Sequence, residues 1–213
     1  MNYTAVIVAA GRSERFGRNK MLHVLPDGQT VVEKTLELFR DDPDCKQIVV
    51  AVSKPVVEYL VTRRNYGRQL MCYGGETRQE SVWHCLLAVS QDHVMVHDGA
   101  RCFLKREDLE RLKQEMEKEK AVVLATRETD TVKKIDGDYI TGTVDRRTLV
   151  RAQTPQCFET DLLTECYRKA EEEGYKATDD CQLVEKYGNC RIRFIESSGL
   201  NTKITTPRDL EGE

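Results

Sequence analysis

Short, mostly apolar runs alternate with longer amphipathic segments along most of the chain. The runs YTAVIVA, QIVVAV, HVMVH and AVVLAT are typical of buried strands. The segments between them repeat apolar residues every three or four positions, which predicts helices. The predicted helices are TVVEKTLELFR, SKPVVEYLVTRRN, ETRQESVWHCLLAVS and REDLERLKQEMEKEK, followed by TDLLTECYRKAEEEG and TDDCQLVEKYG. This alternation indicates an α/β, Rossmann-like fold with a mostly parallel sheet and helices on both faces.

Residues 128–153 interrupt that order. The segment ETDTVKKIDGDYITGTVDRRTLVRAQ alternates polar and β-branched residues about an Asp-Gly pair, which predicts an exposed β-hairpin. A two-stranded ribbon is marginally stable by itself. We therefore expect this protruding arm to lie on the rest of the domain or on a second subunit.

The first predicted strand leads into the loop AAGRSERFGRNK, which combines glycines with basic side chains. Those residues are Gly11, Gly17, Arg12, Arg15, Arg18 and Lys20. Loops that follow strands are where open α/β sheets bind ligands. Glycine lets backbone N–H groups approach an anion, and arginine and lysine supply countercharge. The Walker and dinucleotide-binding glycine patterns are absent. The loop is thus a candidate phosphate site, with a solvated basic turn as the alternative.

Composition narrows the class of protein. The chain has 213 residues, of which 32% are charged and 39% hydrophobic, as in a globular domain. A net charge of −3 argues against a nucleic-acid-coating surface. No apolar run is long enough to span a bilayer, and the first apolar run is too short for a secretory leader. We therefore expect a cytoplasmic protein without a membrane or nucleic-acid partner. The eight cysteines form no C-x-x-C pair and are expected to be buried free thiols.

Five segments together resemble one family of nucleotidyltransferases. They are AAGRSERFGRNK, GGETRQESV, VHDGAR, AQTPQCF with TDD, and NTKITTPRDL. In this order, spanning residues 5–210, they are similar to the 2-C-methyl-D-erythritol 4-phosphate cytidylyltransferases of the non-mevalonate isoprenoid route. The resemblance implies one nucleotide-diphospho-sugar transferase-like domain over residues 1–213. It also implies that the arm at about 128–153 joins two copies into a homodimer.

The resemblance also implies a role for individual residues. Catalysis is expected from Arg15, Lys20 and Lys203. The residues expected to bind CTP are Ala9, Ala10, Gly11, Gly75, Glu76, Arg78 and Ser81. Asp98 is expected to hold Mg²⁺ or another divalent cation. The residues expected to contact the acceptor, a sugar-alcohol phosphate, are Arg101, Thr131, Arg146, Thr154 and Thr178.

Most of these motifs also have a purely structural interpretation. Gly75 could serve only a turn, and Asp98 could be a turn or cap residue at a strand end. Thr178 is also expected to cap the following helix. NTKITTP is interpreted as a strand ended by Pro207, with Lys203 in mid-strand needing a partner or a path to solvent.

The reaction that the resemblance implies joins CTP to 2-C-methyl-D-erythritol 4-phosphate. It gives 4-diphosphocytidyl-2-C-methyl-D-erythritol and pyrophosphate. A phosphate oxygen is already ionised at neutral pH, so no general base is required. Two alternatives remain open: a ribitol-5-phosphate cytidylyltransferase, and a non-catalytic nucleotide-binding protein on the same fold.

Overall fold

The computed structural model describes residues 1–63, 69–199 and 201–210. The strands are β1 (Tyr3–Ala9), β2 (Cys45–Val52), β3 (Gln69–Tyr73), β4 (His93–Asp98), β5 (Ala121–Arg127), β6 (Lys133–Asp136), β7 (Tyr139–Thr143), β8 (Val150–Glu159) and β9 (Arg193–Glu196). The helices are α1 (Val31–Arg40), α2 (Lys54–Val61), α3 (Arg78–Leu86), α4 (Arg106–Met116), α5 (Thr160–Glu173) and α6 (Asp180–Tyr187). The last two residues of the predicted second helix, 64 and 65, lie outside the described residues.

Seven strands form one sheet in the order β3-β2-β1-β4-β8-β5-β9. The pairs between β3, β2, β1 and β4 are parallel, as is the pair of β5 with β9. Strand β8 runs antiparallel to both of its neighbours, β4 and β5. The predicted α/β fold with a mostly parallel sheet is therefore confirmed.

The core lies on both faces of this sheet. Helices α1, α2 and α4 pack on one face, where Leu36, Leu60 and Leu112 are among the buried side chains. Helices α3, α5 and α6 pack on the other, with Leu163 and Leu183 buried among them. The apolar runs of the central strands contribute side chains to the core on both faces of the sheet, because successive side chains of a strand point to opposite faces.

Local signals set several helix boundaries. Thr30 and Glu33 form a reciprocal capping box at the start of α1. The Thr77 side chain accepts a hydrogen bond from Glu80 N at the start of α3. Helix α5 ends at Gly174, which has φ 64°, a left-handed conformation that favours glycine.

The arm contains the expected hairpin, a separate two-stranded sheet of β6 and β7. Its turn contains Gly137 at φ 54°. The described residues of the predicted arm from Val150 onward belong instead to β8, which pairs with β5 in the main sheet.

The predicted strand at NTKITTP is wrong. Ile204 N donates a hydrogen bond to Ala100 O at 2.9 Å, but the segment forms no strand. The Asp209 carboxylate accepts hydrogen bonds from Thr205 N and Thr206 N, both at 2.7 Å. These bonds lead the chain into a short 3₁₀ segment that begins at Pro207. The N–H groups of Thr205 and Thr206 are therefore used locally and do not pair with a strand.

Five of the eight cysteines are buried, as expected, whereas Cys45, Cys72 and Cys190 are half-buried. Within the described ranges, no helix is long and apolar enough to cross a membrane. No group of three or more His, Cys, Asp or Glu side chains in that part of the chain could hold a metal ion.

Candidate active site

A cleft of about 530 Å³ opens where β1 and β4 end. The loop after β1 forms one wall, and the loop between β3 and α3 forms another. The segment around Lys203 contributes from the C-terminal end of the chain. Of the predicted site residues, those lining the cleft are Ala9, Ala10, Gly11, Arg15, Lys20, Gly75, Glu76, Arg78, Ser81, Asp98 and Lys203. The cleft thus brings together the residues predicted for CTP binding, catalysis and metal binding.

The loop after β1 folds back on itself through two left-handed residues, Ser13 at φ 58° and Gly17 at φ 76°. A short 3₁₀ turn, Glu14–Phe16, lies between them and buries the Phe16 ring. Ser13 Oγ accepts a hydrogen bond from Lys20 N at 3.2 Å. This closed loop holds the backbone of Lys20 beside the cleft.

The loop between β3 and α3 lies so close to the end of β1 and to the first turn of α3 that it requires glycine at two positions. A Cβ on Gly74 would lie 2.2 Å from Ala10 Cβ, and a Cβ on Gly75 would lie 2.4 Å from Glu80 Cβ. Ser81 Oγ accepts a hydrogen bond from Gly75 N at 3.1 Å and donates one to Thr77 O at 2.8 Å. Ser81 therefore shapes the loop backbone as well as lining the cleft.

Glu76 lies at the exposed rim of the cleft. Its Oε2 is 3.1 Å from Arg12 Nη2, so this pair connects the two loops. Both side chains are largely exposed, and such pairs contribute little to stability. The contact leaves both groups accessible to a ligand.

Asp98, at the end of β4, is the buried acidic centre of the site. Its Oδ1 is 3.1 Å from Arg78 Nε, and its Oδ2 is 2.7 Å from Lys203 Nζ and 3.8 Å from Arg101 Nε. Burial by itself would raise the pKa of this carboxyl. The cations Arg78, Lys203 and Arg101 outweigh burial and hold the pKa well below its usual range.

Arg78 bridges Asp98 to a second buried carboxylate, Asp180. Arg78 Nη2 lies 2.8 Å from Asp180 Oδ2, and the Tyr167 hydroxyl donates to Asp180 Oδ1 at 2.5 Å. Gln156 Oε1 accepts from Asp180 N at 3.1 Å. Burial lowers the pKa of the Arg78 guanidinium, but the two carboxylates more than offset it and raise the pKa above its ordinary value. Asp180 was not among the predicted site residues, although the TDD segment that contains it was part of the resemblance.

The cleft carries an excess of positive charge, to which Lys20 contributes. Its Nζ donates to Ile204 O at 2.8 Å. Burial lowers the pKa of Lys20, and the charges of Lys203 and Arg15 lower it further, against the opposing effect of Asp98. Five cationic side chains and three carboxylates line the cleft. A bound anion would relieve the repulsion among these cations.

Two residues predicted to contact the acceptor lie beside Asp98. Arg101 Nη1 donates to Asn201 O at 2.6 Å, which ties the turn after β4 to the C-terminal segment. Thr154 is buried, and its Oγ1 accepts a hydrogen bond from Asp98 N at 3.0 Å. Thr154 Oγ1 is also 3.1 Å from His97 Nδ1, while His97 Nε2 donates to Arg101 O at 3.1 Å. Thr154 therefore supports Asp98 from within the protein.

His97 is fully buried, and burial lowers its pKa to about 4. Its ring is neutral at physiological pH, and hydrogen bonds engage both nitrogens.

The other three predicted acceptor residues lie away from the cleft of their own chain. Thr131 and Arg146 are exposed on the arm, and Arg146 Nη1 donates to Thr129 O at 2.7 Å. Thr178 is exposed, and its backbone N donates to Gln182 Oε1 at 2.7 Å.

The prediction that Thr178 caps α6 is wrong. The cap is Asp179, whose side chain accepts a hydrogen bond from Gln182 N at 2.9 Å. The carboxylate of Asp179 is the stronger acceptor and carries the charge that a helix N-terminus favours.

The sequence of the chain matches a known protein family. The family model for IspD, 2-C-methyl-D-erythritol 4-phosphate cytidylyltransferase, matches residues 3–212. The chain belongs to this family. A 2-C-methyl-D-erythritol 4-phosphate cytidylyltransferase of Bacillus mycoides (strain KBAB4) is 37% identical, over 98% of this chain and 94% of that protein. The 2-C-methyl-D-erythritol 4-phosphate cytidylyltransferase of Geobacillus kaustophilus (strain HTA426) is also 37% identical, over 99% of this chain and 94% of that protein.

Solved structures of the IspD family share the fold. The 4-diphosphocytidyl-2C-methyl-D-erythritol synthase of Anaerococcus prevotii DSM 20548 superposes with a TM-score of 0.86 at 30% identity, covering 99% of this chain and 93% of that one. The 2-C-methyl-D-erythritol 4-phosphate cytidylyltransferase of Francisella tularensis superposes with a TM-score of 0.85 at 30% identity, covering 99% of this chain and 97% of that one. These names favour an IspD enzyme over the ribitol-5-phosphate alternative.

Proposed function

We propose that this IspD-family protein is a cytidylyltransferase that joins CTP to 2-C-methyl-D-erythritol 4-phosphate. The products are 4-diphosphocytidyl-2-C-methyl-D-erythritol and pyrophosphate, in the non-mevalonate route to isoprenoid precursors. One observation carries the proposal. The cleft brings the basic loop after β1 together with Lys203 and a buried carboxylate, Asp98, which are far apart in sequence.

The acceptor's phosphate oxygen attacks the α-phosphorus of CTP in line. A new P–O bond forms, the bond to the β-phosphate oxygen breaks, and pyrophosphate leaves. The second pKa of a phosphate monoester is about 6, so the attacking oxygen is ionised at pH 7. No proton has to be removed, which is consistent with a cleft whose lining, among the described residues, contains no histidine or cysteine.

The main barrier is electrostatic, because two polyanions must meet. Two unit charges 4 Å apart repel by about 1 kcal/mol in water and by about 4 kcal/mol at an effective dielectric constant of 20. Lys20 and Arg15 line the cleft beside the loop and would neutralise the triphosphate and the leaving group. Lys203 would hold the acceptor phosphate near Asp98, which it contacts.

The donor set fits a divalent cation such as Mg²⁺. Asp98 stands at a strand end in the cleft and is kept ionised by its cationic neighbours. Mg²⁺ is typically bound by one or two carboxylates, with waters and substrate phosphates completing the shell. Asp98 would hold the ion, which supplies charge neutralisation on the phosphates when bound. The requirement for a metal is a proposal that assays with and without Mg²⁺ can test.

The arm supports a homodimer. Three large apolar side chains on it, Ile135, Tyr139 and Ile140, are between 67% and 79% exposed in the single chain. The predicted acceptor contacts Thr131 and Arg146 lie on the same arm, away from their own cleft. We propose that the arm of one subunit completes the acceptor site of the other. Analytical ultracentrifugation tests this, and a monomer that turns over normally would contradict it.

A pyrophosphate-release assay tests the function. We expect release with CTP and 2-C-methyl-D-erythritol 4-phosphate, and far less when ribitol 5-phosphate replaces that acceptor. Preference for ribitol 5-phosphate would overturn the acceptor assignment. CTP binding without pyrophosphate release under any condition would favour the non-catalytic alternative. A cytoplasmic location also stays a prediction.

A further inference from the structure

Two cysteines outside the cleft lie unusually close together. Cys72 belongs to β3 and Cys85 to α3, and their Sγ atoms are 3.1 Å apart. A disulfide needs an S–S distance of about 2.0 Å, so the sulfurs must approach by roughly 1 Å.

We propose that Cys72 and Cys85 are a modification site, forming a reversible intramolecular disulfide on exposure to a hydroperoxide. We further propose that this bond weakens binding of CTP. The first statement is independent of the proposed function, whereas the second rests on it.

Access and acidity give the two thiols different roles. Cys72 is half-buried and can meet a small oxidant, whereas Cys85 is fully buried. The hydrogen bond with Cys85 lowers the pKa of the Cys72 thiol, and nearby His84 lowers it further against the effect of burial. The same hydrogen bond, together with burial, raises the pKa of Cys85. Cys72 is therefore the attacking thiolate and Cys85 the resolving thiol.

The chemistry balances in two steps. The Cys72 thiolate attacks one peroxide oxygen, the O–O bond breaks, and the alkoxide leaves with the proton that Cys72 had lost. Cys72 is then a sulfenic acid. The Cys85 sulfur attacks the Cys72 sulfur, the S–O bond breaks, and the hydroxide leaves as water with the Cys85 proton. Overall, two thiols lose two electrons and one hydroperoxide becomes an alcohol and water.

The position of the pair connects it to the cleft. The segment between the two cysteines contains Gly75, which lines the cleft of the proposed nucleotide site, and Gly74, which directly precedes it. Gly74 N donates to Val52 O at 3.2 Å, and Tyr73 O is 3.0 Å from His84 Nδ1 on α3. A side chain on Gly74 would collide with Ala10, so this wall has little space to adjust. Drawing β3 toward α3 therefore displaces the backbone that the base would contact.

The test uses the full chain treated with hydrogen peroxide. Remaining thiols are alkylated, and the digest is analysed by mass spectrometry. We expect a peptide linking Cys72 to Cys85 that disappears after reduction with dithiothreitol. The Cys72→Ser variant should lose the link, and Cys190→Ser, a half-buried cysteine outside the pair, should keep it. The absence of this link under conditions that oxidise free glutathione would overturn the proposal.

A second variant guards against misfolding as the cause of a lost link. Cys85→Ser keeps a hydrogen-bonding group beside Cys72 but removes the resolving thiol. If Cys72 reacts first, this variant should accumulate a Cys72 sulfenic acid that dimedone traps. If dimedone labelled other cysteines while Cys72 stayed unmodified, the assigned order would be wrong.

CTP binding is measured by calorimetry on the reduced and oxidised protein. We expect several-fold weaker binding after oxidation, restored by dithiothreitol. Unchanged affinity in a fully linked sample would overturn the regulatory part. If the reduced protein bound no CTP at all, the proposed function would be wrong. The proposed disulfide would still be tested separately, by the presence or absence of the linked peptide.

Discussion

The contact between Gly74 and Ala10 allows the size of one mutational effect to be worked out. In Gly74→Ala, the new Cβ would lie 2.2 Å from Ala10 Cβ, whereas ordinary contacts are 3.4–4 Å. To restore an ordinary contact, the two Cβ atoms must move apart by 1.2 Å, the difference between 3.4 and 2.2 Å. Forcing an extra methyl group into a packed region costs about 1–3 kcal/mol.

If that cost falls on the conformation that binds CTP, the KM for CTP should rise roughly 5- to 150-fold. Steady-state pyrophosphate release with varied CTP measures it, and urea denaturation measures any accompanying loss of stability. The matched control is Gly142→Ala on the arm, where a new Cβ would meet no heavy atom of the same chain within 4 Å.

A second substitution tests whether the steric contact is the cause. Ala10→Gly removes the Cβ that Gly74→Ala would strike, so the double variant should recover most of the lost affinity. Recovery would appear as a favourable coupling energy in a double-mutant cycle. If Ala10→Gly and Gly74→Ala were simply additive, the contact between these backbones would not explain the glycine.

Substitutions of Lys20, Arg146 and Tyr167, with matched controls, test the rest of the site. Lys20→Ala should lower kcat by roughly 10²-fold or more, because a preorganised charge is lost from the transition state. Since the pKa of Lys20 lies below its usual value, kcat/KM should fall as alkaline pH deprotonates it. Lys20→Arg should move that fall to higher pH, and an unmoved profile would assign the titration elsewhere. Arg146→Ala should raise the KM for the acceptor while the neighbouring Arg147→Ala does not, and equal values for both would remove Arg146 from the site. Tyr167→Phe should lower the free energy of unfolding by about 1.5–3 kcal/mol, since it takes a donor from the buried Asp180 carboxylate; an unchanged urea midpoint would contradict this.

The fold could be predicted because the central strands are buried on both faces. Their apolar runs mark β1, β2, β4 and β5 without any knowledge of partners. Strand β8 was assigned in part to the arm, because its first three residues are exposed and only its later ones enter the core. Strand β9, at the sheet edge, has three exposed residues of four and carries no such apolar signal.

The site was predictable where a single segment supplies the chemistry. The basic loop and Asp98 each follow a strand, and strand order brings those ends together. The contacts that hold Asp98 in place could not be predicted, because they join side chains that are distant in sequence. Arg78 and Asp180 are 102 positions apart, and only the placement of α3 and α6 on the same face of the sheet shows that they form an ion pair. Thr178 was misassigned as a cap because an adjacent aspartate competes for the same amide groups.

The contact of Lys203 with Asp98 means that the protein carries its own counterion into the cleft. Without nucleotide, this carboxylate balances cations that would otherwise repel one another, so the positively charged wall can be assembled in advance. Binding of a phosphate is then an exchange, in which the incoming oxygen competes with a tethered carboxylate for the lysine. A weakly held monovalent anion is at a disadvantage in that competition, while a polyphosphate reaching several cations at once is favoured.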